Sequence, residues 1–195
     1  SAEVSAAIAE GLVLCAARSL AEGDAAGAVA IYDEVRNADV PLQRKLEATR
    51  GAILARGDDG IELLLEQFQS SEKPLFQIAL STFREFPGSQ VDQVLAAEFA
   101  RMSPPRAALT VQAMADRKDT LVLSAVLEAA QDGPKPVRVA AIEALGRAGD
   151  GSCLAPLLEI ALERDAELVQ PAKASLAVLP GESVDQDILA RVKTA

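Results

Sequence analysis

Residues 144–162 read "ALGRAGDGSCLAPLLEIAL". An apolar helical run stops at Gly149-Asp150 and a second begins at once, which is the pattern of a helical hairpin. Gly permits the left-handed backbone that closes one helix, and Asp150 or Ser152 accepts the orphan amides that open the next. The unit recurs along the chain. Ile53, Phe83, Met114, Leu145 and Leu176 stand 30, 31, 31 and 31 residues apart. A small residue precedes each by one turn on the same face, at Thr49, Ala79, Thr110, Ala141 and Ala172, so that neighbouring helices can approach closely. Breakers follow at Gly57, Pro87-Gly88, Gly149 and Pro180-Gly181, with Arg117-Lys118 of the third unit as the exception. Capping residues then come at Asp58, Ser89, Asp119 and Asp150 or Ser152.

This periodicity predicts first helices over about 41–56, 73–86, 104–116, 135–148 and 166–179. It predicts second helices over about 59–69, 90–101, 120–131, 152–164 and 184–193. Pro104, Pro105 and Pro156 suit first turns, where a missing N–H costs little. Pro171 lies deeper and is expected to kink its helix. Residues 3–37 form another hairpin around Gly23-Asp24 but leave the apolar column, so residues 1–40 read as a cap on an array that runs continuously over 41–195.

Composition agrees with an all-α chain. Half of the 195 residues are apolar, mostly Ala, Leu and Val, with no Trp, one Tyr and five Phe. The net charge of −10, from 29 acidic and 19 basic residues, disfavours nucleic acid, whose affinity rests on neutralising phosphate with Lys and Arg. Anionic membrane surfaces are disfavoured for the same reason. The absence of His removes the commonest general base and metal ligand. Cys15 and Cys153 fit no metal-ligand spacing, and their apolar surroundings predict unpaired, mostly buried thiols. No apolar run reaches the roughly 18 residues of a membrane span, because Glu10 and Gly11 interrupt residues 4–16. With no basic segment ahead of it, that run does not read as a signal peptide. Compartment stays undetermined by these residues.

"VRVAAIEALGRAGDGSCLAPLLEIALERDAELVQPAKASLAVL" (137–179) resembles the bacterial HEAT-like repeat, the short kind associated with phycobilin lyases. Val137-Arg138, the Ala-rich first helix with Leu145, Gly149-Asp150 and the Leu-rich second helix carry the likeness, and the period extends it across 41–193. The resemblance implies a right-handed α-α superhelix of about five hairpins, with the N-terminal pair similar to a tetratricopeptide-like hairpin. It also implies a partner that is another protein, or other domains of the same polypeptide. "ADVPLQRKLEATRGAILARGDDGIELLLEQFQS" (38–70) resembles helical segments of large, often exported bacterial proteins. Those proteins carry sandwich modules related to 3-keto-disaccharide hydrolases. That likeness implies an accessory region of an exported carbohydrate-active enzyme, with catalysis elsewhere.

Arg56-Gly57-Asp58 spells an adhesion tripeptide but falls at a hairpin hinge, which is the reading adopted. The acidic positions are more informative. Glu34, Glu66, Glu98, Glu128 and Glu159 are spaced 32, 32, 30 and 31 residues apart, each on a predicted second helix. Stacked at about 8–10 Å, they would form a carboxylate column on the surface that HEAT-type arrays offer to extended partners. Glu66, Glu98, Glu128 and Glu159 are therefore the candidate contacts for a basic or extended protein segment, with Gln67, Gln93, Arg101 and Gln131 nearby as hydrogen-bonding groups. A solvated face is the plainer reading of the same pattern. Paired carboxylates of a glycosidase stand roughly 5–10 Å apart, but they need unlike environments to separate their pKa values, and these positions look alike. No catalytic, cofactor-binding or metal-binding residue is expected.

Overall fold

The computed structural model describes residues 2–179, and these are all-helical, with no β-strand among them. The chain divides into two compact units, Ser1–Val91 and Asp92–Ala195.

The first unit holds α1 (Ala2–Ala21), α2 (Ala25–Asn37), α3 (Leu42–Ala55), α4 (Gly60–Gln69) and α5 (Lys73–Glu85). α1 packs on α2 and α3, α2 on α3, α3 on α4 and α5, and α4 on α5. Asp24 opens α2 by accepting from the Gly27 amide at 2.8 Å, satisfying one of the orphan donors. The core is aromatic. Phe68 meets Phe76 and Phe83 edge-to-face, with ring centres 5.8 and 6.2 Å apart, the geometry favoured by ring quadrupoles. Ile53 and Leu64 of the same unit are also fully buried.

Helix α6 (Gln90–Glu98) crosses the boundary between units and ends in a short 3-10 turn, Phe99–Arg101. The second unit continues with α7 (Pro104–Ala115), α8 (Leu123–Asp132), α9 (Lys135–Ala148), α10 (Leu154–Ala161) and α11 (Ala166–Val178). α7 packs on α9 and α9 on α11, while α8 lies on α9 and α10 on α11. Alanines at 107, 129, 130, 140, 141, 144 and 172 make much of this core, so backbones come close where small residues face each other. Where α9 crosses α11, a Cβ added to Gly146 would stand 2.6–2.8 Å from Ser175 atoms, one of them the backbone Cα. Ser175 Oγ there donates to the Ile142 carbonyl at 2.9 Å.

Both small and large members of the repeat column are buried, apart from Leu176, which is half-buried. The first helices match their predicted ranges to within one residue at each end. Of the second helices α6 starts at Gln90 as expected, while α4, α8 and α10 start one to three residues late, after 3-10 turns at Gly57–Asp59, Lys118–Thr120 and Gly151–Cys153. The predicted helix over 184–193 and the Pro180-Gly181 breaker lie outside the described residues.

Several expectations are corrected. Gly57 and Gly88 do adopt positive φ (55° and 74°), as does Gly23 at 91°. Gly149 does not: its φ is −78°. Glycine is required there by crowding, because a Cβ would lie 2.4 Å from the Leu145 carbonyl oxygen and 2.7 Å from Cys153 Sγ. Asp150 caps through the Ser152 amide at 2.8 Å, but Asp58 and Asp119 sit inside 3-10 turns, and α4 and α8 open without a side-chain cap. Pro171 lies within α11, where the sequence places it.

The third corner explains its missing glycine. Arg117 leaves α7 and its guanidinium clamps Asp92 of α6, Nε to Oδ1 at 2.9 Å and Nη2 to Oδ2 at 2.7 Å. Asp92 is fully buried and the Arg117 side chain is 9% exposed. The corner is held by a two-point ion pair instead of a left-handed residue. In the first unit Arg56, at the end of α3, reaches back to Asp33 of α2 in the same sense.

Cys153 is buried as expected, and burial pushes its thiol pKa up. Cys15 is exposed. It lies on a face of α1 that no described residue covers, beside Val4, Ile8 and Leu14, which are 56–64% exposed. Contrary to the expectation of no membrane-length run, Glu3–Ala21 is long and apolar enough by length and composition to cross a membrane, with mean hydropathy 1.5. In this fold the helix instead docks laterally, burying Ala9 and Ala16 and pairing Glu10 with Arg44 at 2.7 Å.

Candidate functional site

All five glutamates of the predicted column fall on second helices: Glu34 on α2, Glu66 on α4, Glu98 at the end of α6, Glu128 on α8 and Glu159 on α10. Their surroundings are not alike. Glu98 is half-buried and pairs with Arg101 three residues on, at 2.6 Å. The other four are exposed and have no ion-pair partner among the described residues. Of the hydrogen-bonding groups expected beside them, Gln93, Arg101 and Gln131 are exposed. Gln67 is withdrawn: it is 5% exposed and donates to its own helix at the Leu63 carbonyl, 3.2 Å away. A residue four positions from Leu63 points along the buried stripe of α4, and this helical register is what removes it from the surface.

In the first unit Glu66 borders a polar groove with Glu62, Asp59, Arg36 and Arg56. Its cations are already committed. Arg36 and Arg56 both bind Asp33. Burial alone would raise the Asp33 carboxyl, but these two guanidiniums outweigh it and hold the pKa below the ordinary carboxylate value.

The second unit has a groove of different character. Its volume is about 290 Å³, and Phe99, Met102, Ala107, Ala129 and Val137 supply most of its apolar wall. Ala96, Ala125, Pro104 and Pro134 complete that wall, and among the described residues Glu128 and Asp132 are its only charged ones. The opening has a local cause. α6 gives way to a 3-10 turn at Phe99, α8 starts only at Leu123, and the positions facing between them are alanines. Short side chains leave room that longer ones would fill. Glu128 and Asp132 lie four residues apart on α8, hence on one face, and both are exposed without an ion-pair partner among the described residues. Thr110 Oγ1 donates to Met102 Sδ at 3.4 Å, which steadies a flexible part of the wall.

No protein-family model, curated protein or solved structure matches this chain. What the groove does rests on its own geometry. Among the described residues no three His, Cys, Asp or Glu side chains converge to hold a metal ion. The groove presents apolar area with two exposed carboxylates beside it, Glu128 and Asp132.

The sequence pointed to Glu128 by its period. It did not point to Asp132, Phe99, Met102 or the groove itself. The available signal was the pair Ala125 and Ala129, small residues one turn apart on a second helix, where α4 and α10 carry Leu-rich stretches.

Proposed function

We propose that this chain is a non-enzymatic helical-repeat scaffold that binds a basic or extended segment of another protein, or another domain of the same polypeptide. Within each unit the hairpins would follow the right-handed superhelix of a HEAT-like array. Support for the array comes from packing that recurs in both units, first helix on first helix and second helix on the next first helix, at a 30–31 residue period. The observation that carries the binding role is that each unit exposes carboxylates on its second helices, Glu66 on α4 in the first and Glu128 and Glu159 on α8 and α10 in the second, with no ion-pair partner among the described residues. A cationic segment would pair with such carboxylates, and nucleic acid would not be accepted.

Selection of a displayed random-peptide library on the purified chain tests this reading. Enriched peptides are expected to be basic, and their binding is expected to weaken as the Debye length falls from about 10 Å at 0.1 M salt to about 3 Å at 1 M. Enrichment of acidic peptides, or of none above a control surface, would refute it.

A further inference from the structure

We propose that the groove between α6, α7, α8 and α9 seats one apolar side chain of a basic protein segment, while Glu128 and Asp132 receive the Lys or Arg beside it. The inference rests on the scaffold reading and adds which surface is used and which residue types enter it.

Size argues first. At about 290 Å³ the groove stands at the small end of the roughly 300–1,000 Å³ usual for small-molecule and cofactor sites. It suits a single anchoring side chain, the kind of contact that concentrates binding energy at protein interfaces. Lining chemistry argues next. A cofactor site needs placed polar groups within the cavity to fix orientation, whereas here the charged groups are two exposed carboxylates on one face of α8. They repel an acidic or phosphate-bearing ligand and attract a cation. Met102 and Phe99, both half-buried, give the wall an adaptable thioether and a flat apolar surface. An aliphatic side chain would be desolvated against them while its cationic neighbour stays in solvent at the edge.

The chain carries two methionines, which makes the test direct. Met102 lines the groove, and Met114 is 2% exposed within the same unit. With methyl-labelled methionine, the Met102 signal reports occupancy and the Met114 signal reports folding. The probe is an acetylated, amidated Lys-Leu-Lys-Lys peptide, compared with versions carrying Ser for Leu or Glu for every Lys. The first peptide is expected to move the Met102 signal saturably and leave Met114 in place. Replacing Leu by Ser should weaken binding more than about tenfold, the worth of one buried aliphatic side chain. The Glu peptide should not bind.

Ala125→Leu, at a half-buried wall position, should fill the groove and abolish the shift. Glu128→Gln and Asp132→Asn should each weaken binding up to about fivefold. Should Ala125→Leu displace the Met114 signal, the doubly reversed Glu128→Lys/Asp132→Lys chain decides, since both positions are exposed, and retained binding there overturns the proposal. Equal shifts from the Leu and Ser peptides overturn it as well. Library-selected peptides that bind the chain and leave Met102 unmoved would overturn the groove assignment and leave the scaffold standing. A chain that binds no peptide anywhere would overturn the scaffold reading itself.

Discussion

Replacing Arg117 by Met strands the Asp92 carboxylate of α6 against the corner that follows α7. Asp92 is fully buried, and the two bonds from Arg117 at 2.9 and 2.7 Å are its charge partner. An exposed pair would contribute at most about 1 kcal/mol. This pair is desolvated on both sides, and removing one member of such a pair costs about 3–5 kcal/mol because an uncompensated charge remains. Replacing both, with Asp92→Leu added to Arg117→Met, removes the penalty along with the attraction and should come back close to the parent. The assay is urea unfolding followed by circular dichroism, with the parent, both single variants and the double variant in one cycle. For a urea slope of about 2 kcal/mol/M, the single variant should lose about 2 M in midpoint. A loss under about 1 kcal/mol would show that the corner does not depend on the pair. A double variant no more stable than Arg117→Met would show that the cost is lost packing of the arginine stem rather than a stranded charge.

The close helix crossing makes a second prediction: Gly146→Val should destabilise by about 1–3 kcal/mol through overpacking, because the new side chain meets the Ser175 backbone. A thermal midpoint equal to the parent's would show that α11 yields freely. Phe83→Ala should cost about 3–5 kcal/mol, since the ring is fully buried against Phe68, and a change below about 1 kcal/mol in chemical denaturation would count against the aromatic core. Thiol titration should label Cys15 rapidly in the native chain and Cys153 only after denaturation, so two fast thiols in the native state would refute the burial of Cys153. Stability should fall in acid. Asp33 is held below its ordinary pKa by Arg36 and Arg56 against the effect of burial, and Asp165 by Lys135 and the Glu167 amide. A depressed carboxylate stabilises the fold fully above its unfolded value of about 3.9 and loses that contribution as pH drops through the folded value. Asp33→Asn should therefore flatten the fall in melting temperature between pH 5 and pH 2 (about one unit above and two below that reference value), and an unchanged slope would sink the assignment.

Most of the helices were legible because their causes are local. Apolar periodicity, proline at first turns and glycine at corners act within a few residues, and the first helices accordingly fell within one residue of their expected ends. The repeat column was legible for the same reason: each small residue and its large neighbour share a face by helical geometry alone. Elements whose state depends on distant partners were not. Cys15 sits in an apolar stretch, but burial requires a neighbour, and no described helix covers that side of α1. Glu98 follows the same period as its exposed counterparts and Gln67 adjoins that column, yet Gln67 turns into the core and Glu98 binds Arg101. Arg117 looked like a missing breaker, and its role depends on an aspartate 25 residues earlier that folding brings within hydrogen-bonding reach. The groove is furthest from the sequence. It is a space left where alanines of different helices face one another, and vacant volume is set by the side chains that three-dimensional packing assembles, which no local pattern encodes.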